Sequence, residues 1–251
     1  MRNHFTTERV SALLTAIFAV ALLAGGATSS GADEKDGKAV LFNGKDLSGW
    51  KLRNADAAKT WKVVSEVKLD ANNPKLLVGS GEGGTAESVM FRTPIEHGSD
   101  IMTEKGFGDC ELHIEFMVPK GSNSGVYLMG QYEIQVLDSF GKPDNQLGMG
   151  DCGAIYSAKV PSVNASKAPG EWQSFDVTFR APRFDAAGKK VENAKFIKLV
   201  YNGKTIHENV EVKGGTGGQI GPEKATGPLL LQGDHGIVAF RNIWITEVGG
   251  K

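Results

Sequence analysis

Residues 111–138 read ELHIEFMVPKGSNSGVYLMGQYEIQVLD, and their alternation decides the fold. Over 111–118, Leu112, Ile114, Phe116 and Val118 alternate with Glu111, His113, Glu115 and Met117. Successive side chains of an extended chain point to opposite faces, so this is the period of a half-buried strand. Segment 123–129 repeats it, with Val126 and Leu128 inward and Asn123, Tyr127 and Met129 outward. Gly130-Gln131 then makes a turn into 132–138, where Ile134 and Val136 face inward. Short connections favour antiparallel neighbours, which predicts a meander whose outer face is shared by His113, Glu115, Asn123, Tyr127, Glu133 and Gln135. Such a face carries more carboxylate, amide and aromatic surface than solubility needs.

The same period recurs on both sides of this stretch. Over 172–180, Phe175, Val177 and Phe179 fall on one face and Ser174, Asp176, Thr178 and Arg180 on the other. FIKLVYNGKTIHENVEV, residues 196–212, is a hairpin whose Asn202-Gly203 turn is a preferred type I′ pair. AVLFNGKDLSGW, residues 39–50, supplies a short strand, the turn Asn43-Gly44 and Trp50 as a core anchor. TWKVVSEVKL, KLLVGS and SVMFRT follow as strands, and PLLLQGDHG with IVAFRNIWITEV closes the chain. Glycine, at 33 residues of 251, stands well above its usual share of about 7 %. With no long amphipathic helix after residue 33, no internal repeat and no Pro- or Ser-rich linker, many short strands joined by tight turns are predicted. The expected fold is all-β: a two-sheet antiparallel sandwich, a jelly roll of the concanavalin A-like kind.

Segment 1–32 is expected to be a signal peptide and 33–251 a single sandwich domain. Arg2 and Arg9 precede the apolar run 10–24, and Ser30-Gly31-Ala32 places small side chains before Asp33, as signal peptidase requires. The run is shorter than the roughly 20 residues of a membrane span, and no cysteine follows it as a lipid acceptor. The expected location is therefore periplasmic or extracellular, with no membrane attachment once the signal is removed. Lys and Arg number 28 against 29 Asp and Glu, scattered for a net charge of -1, which excludes the electrostatic footprint of a nucleic-acid binder. Cys110 and Cys152 can persist as a bridge in an oxidising compartment, or serve separately as small buried apolar residues. Neither belongs to a C-x-x-C or His-Cys cluster, which makes metal binding by this pair the weakest reading.

Two places carry chemistry. Glu133-Ile-Gln-Val-Leu-Asp138 partly resembles the paired-carboxylate strand of laminarinase-type glycoside hydrolases. Retaining hydrolysis needs carboxyl groups about 5–5.5 Å apart, and residues five apart on a regular strand face opposite ways unless a bulge intervenes. Glu133 has the whole polar face beside it, whereas Asp138 reads equally as a solvated strand edge. His235, between glycines in Leu231-Gln-Gly-Asp-His-Gly236, suits acid or base work near neutral pH, or a turn bond to Asp234. Arg180, Arg183 and Arg241 are the cations available for hydroxyls or carboxylates, or for surface pairing. The Gly-rich run 213–228 lacks a phosphate-cradling motif.

LFNGKDLSGW, NSGVYLMGQYEIQVLD, CGAIYS, VNASKAPGEWQSFDVTFRAPRFDAAGKKV and GPLLLQGDHGIVAFRNIWI, in this order, closely resemble the bacterial 3-keto-disaccharide hydrolase domain family, over about 38–248. The resemblance implies a jelly roll, export, and a small carbohydrate substrate, a 3-keto-disaccharide. A C3 ketone acidifies the C2 proton, so a base removes it, the oxygen on C1 leaves, and water adds across the double bond. On this reading one of Glu133 and His235 is the base and the other the acid, with Gln135, Asn123, Tyr127, Tyr156, Asn164, Arg180 and Gln232 contacting hydroxyls or the ketone. No cofactor is required by the sequence. A divalent cation held by Glu115, Glu133, His113 or His235 would polarise the ketone, although no ligand spacing demands it. The rival expectations are a non-catalytic sugar-binding module stacking on Tyr127, Tyr156 and Trp172, and a conventional glycoside hydrolase acting on unoxidised glucans.

Overall fold

The computed structural model describes residues 34–249 except 36, 58 and 96, and the expected export segment 1–32 lies outside the described residues. Five strands form a small sheet: β3 (Trp50–Leu52), β8 (Ile101–Phe107), β10 (Asn123–Leu128), β11 (Tyr132–Leu137) and β17 (Gly227–Leu231), in the order β11-β10-β17-β8-β3. A large sheet is built from β1 (Glu34–Lys35), β2 (Lys38–Val40), β9 (Cys110–Met117), β12 (Gln173–Arg180), β15 (Ala194–Tyr201), β16 (Lys204–Val212) and β18 (Ala239–Glu247). Its order is β1-β2-β18-β9-β12-β15-β16, and β7 (Val89–Arg92) also pairs with β18 and carries β4 (Trp61–Val64). Two hairpins, β5 (Glu66–Leu69) with β6 (Leu77–Ser80) and β13 (Arg183–Phe184) with β14 (Lys190–Glu192), stand apart. The pairings that build both sheets are antiparallel.

Alternation accounts for the core between the sheets. Leu112, Ile114 and Phe116 of β9, with Phe175, Val177 and Phe179 of β12, share one buried cluster with Val126 and Leu128 of β10 and Ile134 and Val136 of β11. Burying each such side chain contributes about 1.5–3 kcal/mol, and a one-residue register slip would turn the whole set outward. Trp50 is anchored as expected, its indole N–H donating to the Leu41 carbonyl at 2.6 Å. Asn202 and Gly203 both have positive φ, 48° and 79°, as a type I′ turn requires. The β10–β11 turn falls one residue earlier than expected: Met129 and Gly130 take the left-handed conformations, with φ of 56° and 63°. Met129 thereby packs into the core instead of facing outward.

The meander is overturned at one joint. β9 lies between β18 and β12 in the large sheet, whereas β10 lies between β11 and β17 in the small one. Segment 118–122 therefore crosses between sheets, and His113 and Glu115 face out on the opposite side of the sandwich from Glu133. Alternation separates inside from outside but does not say which sheet a strand joins. Cys110 and Cys152 are free buried thiols, pushed by burial up to about 12 and about 11.

Candidate active site

The outer face of the small sheet gathers the polar residues of β10 and β11. Tyr127 and Glu133 are cross-strand partners, and Gly125 lies opposite Gln135. Gly125 is what lets the first two converge. A methyl group there would stand 2.9 Å from Tyr127 Cε2 and 3.1 Å from the Glu133 carboxyl carbon, so both side chains lie over bare backbone. The Tyr127 hydroxyl lies beside the Glu133 carboxylate and favours its charged form. Gln135 Nε2 donates to Asn123 Oδ1 at 2.7 Å. Gln232, the residue after β17, reaches the Tyr127 hydroxyl through Nε2 at 3.4 Å, and its buried Oε1 has no partner among the described residues.

Two loops wall this floor. Thr216 Oγ1 accepts a hydrogen bond from the Glu133 N–H at 2.8 Å. Gly217 and Gly218 take φ of 123° and 62°, a backbone that glycine adopts freely, and a methyl group at Gly218 would stand 2.9 Å from the Tyr127 hydroxyl, while Gly217 lies in ordinary contact with Tyr156. The Gly218 carbonyl accepts from Arg53 Nη1 at 3.0 Å, and the same nitrogen pairs with Asp100 Oδ2 at 3.1 Å. The second loop carries Asp234 and His235. His235 Nδ1 bonds Asp234 Oδ1, which leaves Nε2 for a ligand on a half-exposed ring. Behind it the buried Arg92 donates to the Gly233 carbonyl at 2.8 Å and fixes the loop.

Burial is the main influence on Glu133, which is only 3 % exposed, and it pushes the carboxyl up to about 7. Tyr127 and His235 act in the other direction, while Asp100 and Asp234 add to the rise. A carboxyl poised near neutrality exchanges its proton at low cost, as general acid–base chemistry requires. Tyr127 is held far above its usual range by burial and by the Glu133 charge, and so remains a donor.

Glu133, His235, Gln135, Asn123, Tyr127 and Gln232 thus come together, with Tyr156 at the rim, its backbone N–H donating to the Glu133 carbonyl at 3.1 Å. Asn164 and Arg180 are corrections. The Asn164 amide bonds the Ser139 and Lys142 carbonyls at 2.7 and 2.8 Å, closing a loop. Arg180 lies on the large sheet and pairs with Glu192 at 2.8 Å. Asp138 accepts from the Gly121 and Phe140 N–H groups and holds a turn, so it is no partner carboxylate for Glu133. The metal candidates also divide. His113 and Glu115 belong to a network with Asp176, Asn242 and Arg241 on the large sheet, while Glu133 and His235 lie on the small-sheet side. The four do not fit one ion, and among the described residues no three His, Cys, Asp or Glu side chains are grouped to hold one. Trp172, packed against Arg241 at 4.0 Å, is likewise remote from Tyr127 and Tyr156. Arg53, Asp100 and Gly125 escaped sequence reasoning. The first two merely abut strand ends, and the third reads as an ordinary strand glycine.

Residues 37–246 match the model of a family described as the 3-keto-alpha-glucoside-1,2-lyase-like domain. The chain belongs to this family. The match runs from β2 into β18 and includes every residue of the small-sheet site. A 3-keto-disaccharide hydrolase of Bacteroides thetaiotaomicron is 27 % identical over 163 residues, 55 % of this chain and 51 % of that protein. The chain thus matches about half the length of that curated relative. The crystal structure of a candidate glycosyl hydrolase from Parabacteroides distasonis is 30 % identical, with a TM-score of 0.62 over 85 % of this chain and 84 % of that one. A second such structure from the same organism, 20 % identical, shares the fold with a TM-score of 0.56 over 84 % and 94 % of the two chains.

Proposed function

We propose that the protein is an exported enzyme that cleaves the glycosidic bond of 3-keto-glycosides, 3-keto-disaccharides among them. The observation that carries this is Glu133: a buried carboxyl poised at about 7 on a glycine floor, with the free edge of the Asp234-held His235 on the adjoining loop. Glu133 takes the C2 proton, and the C2–H electron pair is delocalised onto the C3 oxygen as an enolate. The enolate re-forms the ketone, C1=C2 forms, and the C1–O bond breaks toward the leaving oxygen, which takes its proton from His235 Nε2. Water then adds to C1 while C2 regains a proton, so that the net reaction is hydrolysis. The family description names the elimination half, a 1,2-lyase acting on a 3-keto-α-glucoside, and the Bacteroides relative's name adds the water. A single base and a single acid suffice, consistent with the role of Asp138 as a turn residue.

The test is to incubate the protein with 3-keto-trehalose and with trehalose in D₂O and follow release of 3-ketoglucose or glucose. The expected result is cleavage of the keto sugar alone, with deuterium at C2 of the product. Cleavage of trehalose at a similar rate, or product without deuterium, would refute the route. Binding without cleavage of either sugar would favour a sugar-binding module.

A further inference from the structure

The polar face extends well beyond Glu133. Crossing the small sheet from edge to edge, Glu133 comes from β11, Tyr127 from β10, Gln232 abuts the end of β17, Asp100 precedes β8 and Arg53 follows β3. Each neighbour is tied to the next or to a shared loop. Gln232 meets Tyr127, the Gly233 N–H donates to Asp100 Oδ1 at 3.0 Å, and Asp100 Oδ2 pairs with Arg53. The Gly217-Gly218 backbone spans from Tyr156 past Tyr127 to Arg53, closing the row on one side.

We propose that Arg53, Asp100 and Gln232 form the subsite that reads the far edge of the sugar ring being cleaved, taking a neutral vicinal diol or hydroxy-ketone. This rests on the reaction proposed above and deepens it. In a pyranose, C1 and C3 flank C2 on opposite sides. With C2 at Glu133 and the C1 oxygen at His235, the oxygens on C3 and C4 point away from His235. The polar row of Tyr127, Gln232, Asp100 and Arg53 continues across the sheet from Glu133 and is the hydrogen-bonding surface available to those oxygens. Gln232 is nine-tenths buried, yet its Oε1 has no partner among the described residues, and an unpaired buried acceptor is unfavourable unless a ligand donor completes it. Arg53, 43 % exposed at its side chain, uses only Nη1 on protein acceptors among the described residues, so its remaining N–H groups are available. Asp100 neutralises that cation, which favours an uncharged polyol over a sugar acid. The leaving group is directed past the half-exposed His235 ring toward solvent.

The experiment compares wild type with Arg53→Gln, Arg53→Lys and Asp100→Asn, with melting checked for each. Affinity for free 3-ketoglucose is measured by calorimetry and KM for 3-keto-trehalose by turnover. The expected result is that Arg53→Gln weakens both about tenfold or more, with Arg53→Lys recovering part of the loss and kcat changing less than KM. Weakening confined to the disaccharide would place the leaving sugar at Arg53 and overturn the inference. Unchanged affinity in folded Arg53→Gln would overturn it as well. Should wild type bind 3-ketoglucose through Arg53 but cleave nothing, the subsite stands and the proposed reaction falls. Wild type that binds no 3-ketoglucose overturns the subsite even if turnover is seen.

Discussion

Replacing Glu133 by Gln separates the function of the site from its cost to the fold. The folded protein keeps the Glu133 proton up to about 7, whereas an unperturbed Glu releases it at 4.5. Between those values the folded state binds more protons than the unfolded one, so this residue's contribution makes stability fall as pH rises. The interval corresponds to roughly 3 kcal/mol, lost in full above about pH 7. Gln occupies the same space and never ionises. Urea unfolding across a pH series is therefore expected to find Glu133→Gln more stable than wild type by up to about 3 kcal/mol at alkaline pH. The gap should shrink as pH falls through the window and vanish below about 4.5. Turnover of 3-keto-trehalose by the same samples should fall about 10²–10⁴-fold, the usual effect of removing a general base. Parallel stability curves at every pH would show that burial does not perturb this carboxyl, and wild-type turnover in the folded variant would remove Glu133 as the base.

Gly125→Ala places a methyl group 2.9 Å from Tyr127 Cε2, where ordinary carbon contacts are about 3.5–4.0 Å, so the ring and the Glu133 carboxyl must move by roughly 0.6–1 Å. A misplacement of about 1 Å costs about 10² in rate, and kcat at saturating substrate is expected to drop by that order; an unchanged kcat refutes the glycine-floor reading. Val136→Ala, at a position with no exposure, should lower stability by about 1–3 kcal/mol in urea unfolding while turnover per folded molecule stays level. The two cysteines are unbridged, so melting temperature should be the same with and without reductant; a reductant-sensitive shift would contradict the free thiols.

How far the sequence reaches differs from one feature to the next. The alternation in β9, β10, β11 and β12 decides which side chains enter the core, because a period of two is a local property of extended backbone and apolar burial selects its phase. The same reasoning brought Glu133, Gln135, Asn123 and Tyr127 to one face, and the hairpin at Asn202-Gly203 is legible because only a few residue pairs tolerate two positive φ angles. Sheet membership is not local. β9 and β10 are joined by a short link yet lie in different sheets, since β9 finds its hydrogen-bonding partners in β12 and β18, distant in the chain. For that reason alternation alone sets His113 and Glu115 beside Glu133, whereas strand pairing puts them on the opposite side of the sandwich; Arg180 and Asn164, which the family resemblance brings into the site, are removed from it by large-sheet pairing and loop closure. Arg53 and Asp100 show the converse: with Gln232, which the family resemblance already singles out, they are polar residues beside the ends of strands far apart in sequence, and neither of the two stands out alone. Composition and periodicity dictate an all-β sandwich with a polar outer face, but only antiparallel pairing across the small sheet sets those three in a row with Glu133, because strand order arises from contacts between remote segments.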